Sequence, residues 1–325
     1  MLDINPNGAY VLGFDIGANG QWITLSNAAG NSVARDAVQF PHEQHPDAFL
    51  AHVADQANAL IERMTTSIPN LRGKVVGGGV AAAGTVASDC RTIVESGNLG
   101  WGKVAAADIL STRLGIPFTV ESRPRALALA ELERLSDPHA RDMLVILIGL
   151  GLGSCLVVDG QLLRGHQGIA GHIAHLPIAE QTTACYCGAV GCLDTVASGR
   201  AVLAACGLPL AQGSAGAAAG LDAILMQAQS GDQRVRANLT TAGHALGIAI
   251  EQLVRFANPQ HVVLCGPLAY APAYERGVLA ALANIAVKVR VSTLDVDAVA
   301  AWMALDNFVY TANLDIQGLR MAHAS

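Results

Sequence analysis

The most restrictive feature of the sequence is a repeated opening. Residues 10–14 and 22–26 are β-favourable runs separated by the turn segment Asp15-Ile16-Gly17-Ala18-Asn19-Gly20. Residues 143–148 and 155–158 flank a glycine-rich turn, Gly149 to Ser154, in the same way. Each half of the chain thus begins with a strand, a glycine-bearing turn and a second strand. This weak internal duplication predicts two related α/β lobes with a cleft between them.

The remaining periodicity fits that plan. Apolar residues at 49, 53, 57, 60 and 61 predict a helix over 46–64. A glycine-rich apolar strand is expected at 74–83, a helix at 105–114, a strand at 118–121 and a helix at 124–134 with Pro124 in its first turn. In the second half, helices are expected over 217–229 and 237–257, then a strand at 261–265, the Gly266-Pro267 turn and a helix over 271–287. The first lobe is expected over 1–122, completed by a C-terminal helix of about 299–325, and the second over 123–298 with the segment 175–192 inside it.

Composition narrows the function. A chain of 325 residues is long enough for two domains of about 150 residues each. The net charge of −6 gives no basic bulk for a phosphate backbone, so binding of DNA or RNA by this chain alone is not expected. No stretch of 18 apolar residues predicts a membrane span, and the N-terminus lacks the pattern of a signal peptide. A cytoplasmic location is therefore expected.

Three of the seven cysteines crowd into Cys185-Tyr-Cys187-Gly-Ala-Val-Gly-Cys192, with His175 upstream. An odd count and tight spacing favour metal binding over a disulfide framework. Three thiolates and an imidazole form a closed tetrahedral set suited to structural zinc; a catalytic zinc would need an open position.

The run Gly165-His-Gln-Gly168-Ile-Ala170-Gly171-His172-Ile-Ala-His175, the cysteine cluster and the run from Leu193 to Gly199 resemble the signature of the ROK family of repressors, open-reading-frame proteins and sugar kinases. The resemblance extends over nearly the whole chain. It implies an α/β fold of two lobes, the actin-like ATPase fold of sugar kinases, with a structural zinc site.

Against the family kinases, the phosphoryl-transfer parts are degraded. The first phosphate turn resembles Asp-x-Gly-Gly-Thr in kinases and here keeps Asp15 and Gly17 but reads Ala18-Asn19. The second keeps Gly149, Gly151 and Gly153, with Leu150 in place of threonine. At Gly266, a family Gly-Gly-Gly run becomes Cys-Gly-Pro. ATP and magnesium are not expected as cofactors. Aligned on Glu121, the aspartate that takes the sugar hydroxyl proton in the kinases falls on Arg123, a permanent cation unable to act as a base. General-base help is worth roughly 10²- to 10⁴-fold in rate. His172, at a family glutamate position, is the alternative base.

The resemblance places effector contacts at Gly84, Asn98, Ser122, Arg123, His172, His175 and Asp194. Arg123 and Arg125 at a helix start suggest an acidic or phosphorylated sugar. Pairing of Arg123 with Glu121 or Asp194, and a solvated Arg125, is the competing reading. Residues 3–13 resemble the connector that follows the DNA-binding head of ROK repressors. The expectation is therefore the sugar-binding region of a ROK regulator, a homodimer or homotetramer that reaches DNA only through a head absent from the chain. The alternatives are a ROK sugar kinase with an altered base and a scaffold for a protein partner.

Overall fold

The computed structural model describes residues 4–17, 20–38, 45–97, 99–135, 141–208 and 214–310. The first sheet begins as a meander, β1 (Tyr10–Gly17), β2 (Gly20–Asn27) and β3 (Ser32–Ala37), all antiparallel. Two helices follow, α1 (Pro46–Thr65) and the single-turn α2 (Leu71–Lys74), then β4 (Val75–Ala82), the small hairpin of β5 (Thr85–Val86) and β6 (Ile93–Glu95), α3 (Ala106–Leu114) and β7 (Phe118–Ser122). Strands β4 and β7 add in parallel, giving the order β3-β2-β1-β4-β7. The edge strand β3 was not expected, because its sequence SVARDA offers only half-exposed alternation and no apolar run.

Helix α4 (Arg123–Arg134) leads into a second sheet built the same way. Strands β8 (Met143–Ile148), β9 (Leu152–Val158) and β10 (Gln161–Leu162) form the meander. After α5 (Asp194–Ala197), α6 (Gly199–Ala205), α7 (Ser214–Ser230) and α8 (Gln233–Ala257) come β11 (His261–Cys265), α9 (Pro272–Ala281), β12 (Lys288–Val291) and α10 (Val296–Phe308). The order is β10-β9-β8-β11-β12, with the last two strands parallel to β8.

Local chemistry sets these elements. Asp232 caps α8 by accepting from the amides of Arg234 and Val235, and Asn258 ends it in the left-handed region before Pro259. The buried face of α8 runs Val235, Leu239, Ala242, Leu246, Ala249, Ile250 and Val254, the three- and four-residue spacing of a helix against a sheet core. The helix expected over 271–287 stops at Ala281, and the chain then turns to supply the edge strand β12. The expected C-terminal helix runs over Val296–Phe308; residues 311–325 lie outside the described residues. Among the described residues, no helix is long and apolar enough to cross a membrane.

Helix α10 returns to the first sheet and lies on β1 and β4 at backbone distance. A Cβ at Gly13 would stand 2.4 Å from the Ala301 amide nitrogen, and one at Gly79 would stand 2.1 Å from the Ala300 carbonyl oxygen. Gly79→Ala is therefore expected to push α10 off the sheet and lower stability by roughly 1–3 kcal/mol. Urea denaturation checks this against Gly73→Ala, where no atom lies within 4 Å and stability should hold or rise slightly.

Candidate functional site

Strand register places Asp15 of β1 beside Ala81 of β4, and Ala81 beside Glu121 of β7. The C-terminal ends of these strands open on one edge, where α4 begins. Asp15 and Glu121 are thus two strands, or about 10 Å, apart in one row, and Arg123 just beyond the row has the length to span it.

Arg123 does so. Its Nη2 donates to Asp15 Oδ2 at 2.9 Å, and its Nε lies 2.9 Å from Oδ1 as an ion-pair contact without a hydrogen bond between those two atoms. The guanidinium lies against Gly17, where a Cβ would sit 2.4 Å from Nη1 and 2.7 Å from Cζ. Neither Glu121 nor Asp194 is the partner of Arg123, which corrects the pairing weighed from the sequence. Arg123 is thus folded onto the turn that follows β1; Ala18 and Asn19 of that turn lie outside the described residues.

Burial pushes the Asp15 carboxyl up to about 6, outweighing the pull of Arg123. The sign follows from linkage. The folded carboxyl holds its proton more tightly than the unfolded one, so its contribution to stability grows as pH falls from about 6 toward 4 and is lost as pH rises again. Relative to Asp15→Asn, the wild type should gain up to about 3 kcal/mol between pH 7 and pH 4. Parallel chemical denaturation across that range measures it.

Arg125, which the sequence left open as a solvated residue, is fully buried. Its position in the first turn of α4 points it into the joint between the two sheets. It donates to the Gly168 carbonyl oxygen and lies 3.6 Å from Glu121 Oε1. Glu121 is buried too: Oε1 accepts from the Ser122 amide at 2.8 Å, and Oε2 lies 2.6 Å from Arg164 Nη2. Arg164 and Gly168 follow β10 of the second sheet, while Glu121 and Arg125 belong to β7 and α4. The buried carboxylate therefore ties the second sheet's loop to the first sheet's edge. Sequence reasoning missed Arg164, although a lone arginine directly before the glycine-histidine run was the available signal.

The same loop carries His172. Ser154 fixes it from below: its hydroxyl donates to the Gly171 carbonyl at 2.6 Å and accepts from the Ile173 amide at 3.0 Å. Burial, with Arg125 and His175 nearby, holds the His172 imidazole down at about 4, so the ring is neutral at pH 7. Of the other expected contacts, Gly84 turns at φ +119 where a Cβ would meet the Glu95 carbonyl at 2.2 Å. The buried Ser122 hydroxyl has no hydrogen-bond partner, and Asn98 lies outside the described residues.

Asp194 is buried at the start of α5, and its Oδ1 accepts from the Leu152 amide at 2.8 Å. It thereby clamps the turn that holds Gly149, Gly151 and Gly153. That turn is committed elsewhere as well. The Gly149 carbonyl accepts from the Gly199 amide at 2.8 Å, and Leu150 turns its side chain into the core. Gly266, at φ +89, packs where a Cβ would stand 2.8 Å from the Ile148 carbonyl.

His175, Cys185, Cys187 and Cys192 converge, with their ligand atoms all within 4.8 Å of one another. Cys185 Sγ lies 3.6 Å from His175 Nδ1, and Cys187 Sγ lies 3.6 Å from Cys192 Sγ. A tetrahedral ion with ~2.3 Å bonds to sulfur and ~2.0 Å to nitrogen has ligand–ligand edges of about 3.5–3.8 Å. The donor set therefore fits zinc in number, chemistry and spacing. Gly188 and Gly191, at φ +88 and +75, make the tight turns that bring the thiols together.

Two like-built sheets joined by crossing helices define the actin-like fold of sugar kinases and their relatives. A family model described as the ROK family matches residues 11–304, and the chain belongs to that family. It is 25% identical over 272 residues to the xylose repressor of Caldicellulosiruptor bescii, covering 81% of this chain and 67% of that protein. It is 28% identical over 273 residues to the glucokinase of Halalkalibacterium halodurans, covering 81% of each. Among solved structures, the ROK family glucokinase of Streptomyces griseus in complex with glucose and AMPPNP is similar with a TM-score of 0.74 at 21% identity, over 91% of this chain and 99% of that one. The relatives thus include repressors and sugar kinases alike.

Proposed function

We propose that the chain is the effector-binding region of a ROK-type transcriptional regulator, taking a sugar or sugar derivative in the cleft and lacking kinase activity. One observation carries this reading: Arg123, which the family resemblance aligns with the base, is engaged by Asp15 over Gly17, at the turn that follows β1. Phosphoryl transfer needs that turn open to phosphate and metal, and a group able to accept the hydroxyl proton. A single arginine removes both. Neutral His172 is a poor substitute, because a base near 4 lies far below the working pH.

In this reading Gly84, Asn98, Ser122, His172, His175 and Asp194 line the effector site, and zinc on His175 and the three cysteines holds its floor. The effector is an acidic or phosphorylated sugar. With Arg123 neutralised by Asp15, the charge for it comes from Arg125 and Arg164, two cations that share the carboxylate of Glu121. A ligand that touches the elements of both sheets binds the closed arrangement more tightly and shifts the population toward it.

Incubation with ATP, magnesium and a panel of neutral, amino, acidic and phosphorylated sugars tests the proposal, with product read by mass spectrometry and binding by calorimetry. Saturable binding of an acidic sugar without phosphate ester supports it. Turnover on the order of 1–100 per second establishes the kinase reading instead.

A further inference from the structure

Tyr186 stands between Cys185 and Cys187, within the segment that gathers the four metal-binding side chains. The turn that carries it is closed by the Gly188 amide, which donates to the Cys185 carbonyl at 3.0 Å, and by the Cys185 amide, which donates to the Ala189 carbonyl at 2.8 Å. The ring is held without being buried. It meets the His175 ring edge to face, with centroids 5.4 Å apart, and the Arg200 guanidinium lies 5.6 Å from its centroid. From the first sheet's half comes Gly97, in the turn after β6, where a Cβ would stand 3.0 Å from Tyr186 Cε2. That turn is fixed in its own right, because the Ser96 amide donates to the Trp101 carbonyl at 2.9 Å and the Trp101 amide to the Ser96 carbonyl at 3.1 Å. Tyr186 therefore touches both halves of the molecule, yet it remains 53% exposed.

Its hydroxyl sets it apart from the other four tyrosines of the chain. Tyr10 donates to Asn7 Oδ1 at 3.1 Å, Tyr270 to the Ser292 carbonyl at 2.7 Å, Tyr274 to the Ala197 carbonyl at 2.6 Å and Tyr310 to the Ala28 carbonyl. Tyr186 donates to no acceptor among the described residues. A tyrosine pinned by its ring, with its hydroxyl and half of its surface left over, is suited to a partner from outside the chain. The neighbours indicate what kind. In the proposed reading, His175 beside the ring and Asn98 next to Gly97 are effector contacts, and no residue of that contact set carries a hydrocarbon ring. Ligand sites combine a few placed polar groups with apolar or aromatic surface. A sugar in ring form matches such a pair of surfaces, with hydroxyls around its edge and C–H groups across its faces. An open-chain polyol carries the same hydroxyls without a fixed C–H face.

We propose that Tyr186 is a specificity-determining contact of the effector site, packing its ring on a C–H face of a sugar in ring form and offering its hydroxyl to one of the sugar's hydroxyls. The inference rests on the effector reading of that site and deepens it, by selecting the ring form over the open chain. The cysteine segment then does more than enclose an ion: it holds this ring against the Gly97 turn. A sugar packed on Tyr186 meets both halves of the molecule there and favours the arrangement in which they touch.

The test measures binding of three matched pairs to the full chain by calorimetry: glucose with glucitol, glucuronate with gluconate, and glucose 6-phosphate with glucitol 6-phosphate. Each pair sets a ring-form sugar against its open-chain counterpart, and together they span neutral, acidic and phosphorylated ligands. The wild type should prefer the ring form of the pair it accepts by about 10-fold or more; part of that preference is the freedom an open chain loses on binding, so the variants decide. Tyr186→Ala should weaken the ring form by about 10-fold or more and leave the open chain within about 2-fold, with zinc content and circular dichroism matching the wild type. Tyr186→Phe keeps the ring and loses the hydroxyl, and should weaken the ring form by about 3- to 10-fold. Tyr186→Leu fills similar space without an aromatic face, and repeats the comparison where alanine loosens the metal-binding turn. Ring-form affinity should fall in the order wild type, Tyr186→Phe, Tyr186→Leu. Unchanged ring-form affinity in the folded variants, or equal losses for both members of a pair, overturns the proposal and leaves the effector reading in place. Absence of binding of all six ligands up to about 10 mM overturns that reading and this inference with it.

Discussion

Arg123→Ala should cost about 3 kcal/mol of stability at pH 8, and the deficit should shrink toward pH 5. The magnitude comes from stranding a buried carboxylate: removing one partner of a buried pair typically costs about 3–5 kcal/mol. Arg123 and Asp15 retain only 15% and 6% side-chain exposure, so solvent screens little of the interaction. The pH dependence follows from Asp15, whose carboxyl is held near 6 by burial; once protonated it no longer needs the guanidinium. A double-mutant cycle with Asp15→Asn isolates the pair, and the combined variant should be more stable than the sum of the single losses predicts. Additive losses at pH 8 would show that Arg123 acts only through packing on Gly17. On the proposed reading, Arg123→Ala frees the turn after β1 without supplying a base, so it should gain affinity for nucleotide before it gains any turnover.

Removing the metal should have the larger consequence. A purified chain is expected to carry one zinc per subunit by elemental analysis, and Cys185→Ser or Cys192→Ser should abolish it. Both of these cysteines are buried, and the segment between Pro177 and Cys192 has no helix or regular strand, only turns and the isolated bridges of Pro177 with Cys192 and Ala184 with Val190, closed by backbone hydrogen bonds such as Gly191 N–H to the Thr183 carbonyl at 2.9 Å. The turns bring the four ligands together, and the ion would lock them there. Structural zinc contributes on the order of 10–16 kcal/mol to small finger peptides, and part of that scale applies to this loop. Chelation should therefore open the segment to protease while the two sheet cores persist. It should also abolish effector binding, because His175 and the neighbouring loop of His172 lose their anchor. Retained sugar binding in a zinc-free, protease-sensitive chain would separate the metal from the effector site.

Much of this architecture was legible from the amino acids. The two strand–glycine turn–strand openings became β1–β2 and β8–β9, and the periodicity of Phe49, Val53, Ala57 and Leu60 became the buried face of α1. The cysteine cluster was legible because its ligands are close in sequence, so backbone turns alone nearly bring them together. The partner of Arg123 was not legible. Asp15 is 108 residues away, and only the register of β1, β4 and β7 makes the two neighbours. The burial of Arg125 was not legible for a related reason. A charged residue beside a proline at a helix start usually faces water, yet here it enters the joint between the sheets, where Glu121 and the Gly168 carbonyl receive it. Edge strand β3 and the early end of α9 depend on neighbouring strands that local propensity does not encode.

The seating of α10 has a consequence for how the chain is made. Val11, near the beginning, is buried against Ala301, Ala304 and Leu305, near the end, and Gly13 and Gly79 are bare so that this late helix can settle on them. A ribosome releasing the chain in order delivers the first sheet long before its cover. Until residue 308 emerges, one face of β1 and β4 is an open, glycine-paved surface, which has to be kept from neighbours while the whole second sheet is being made.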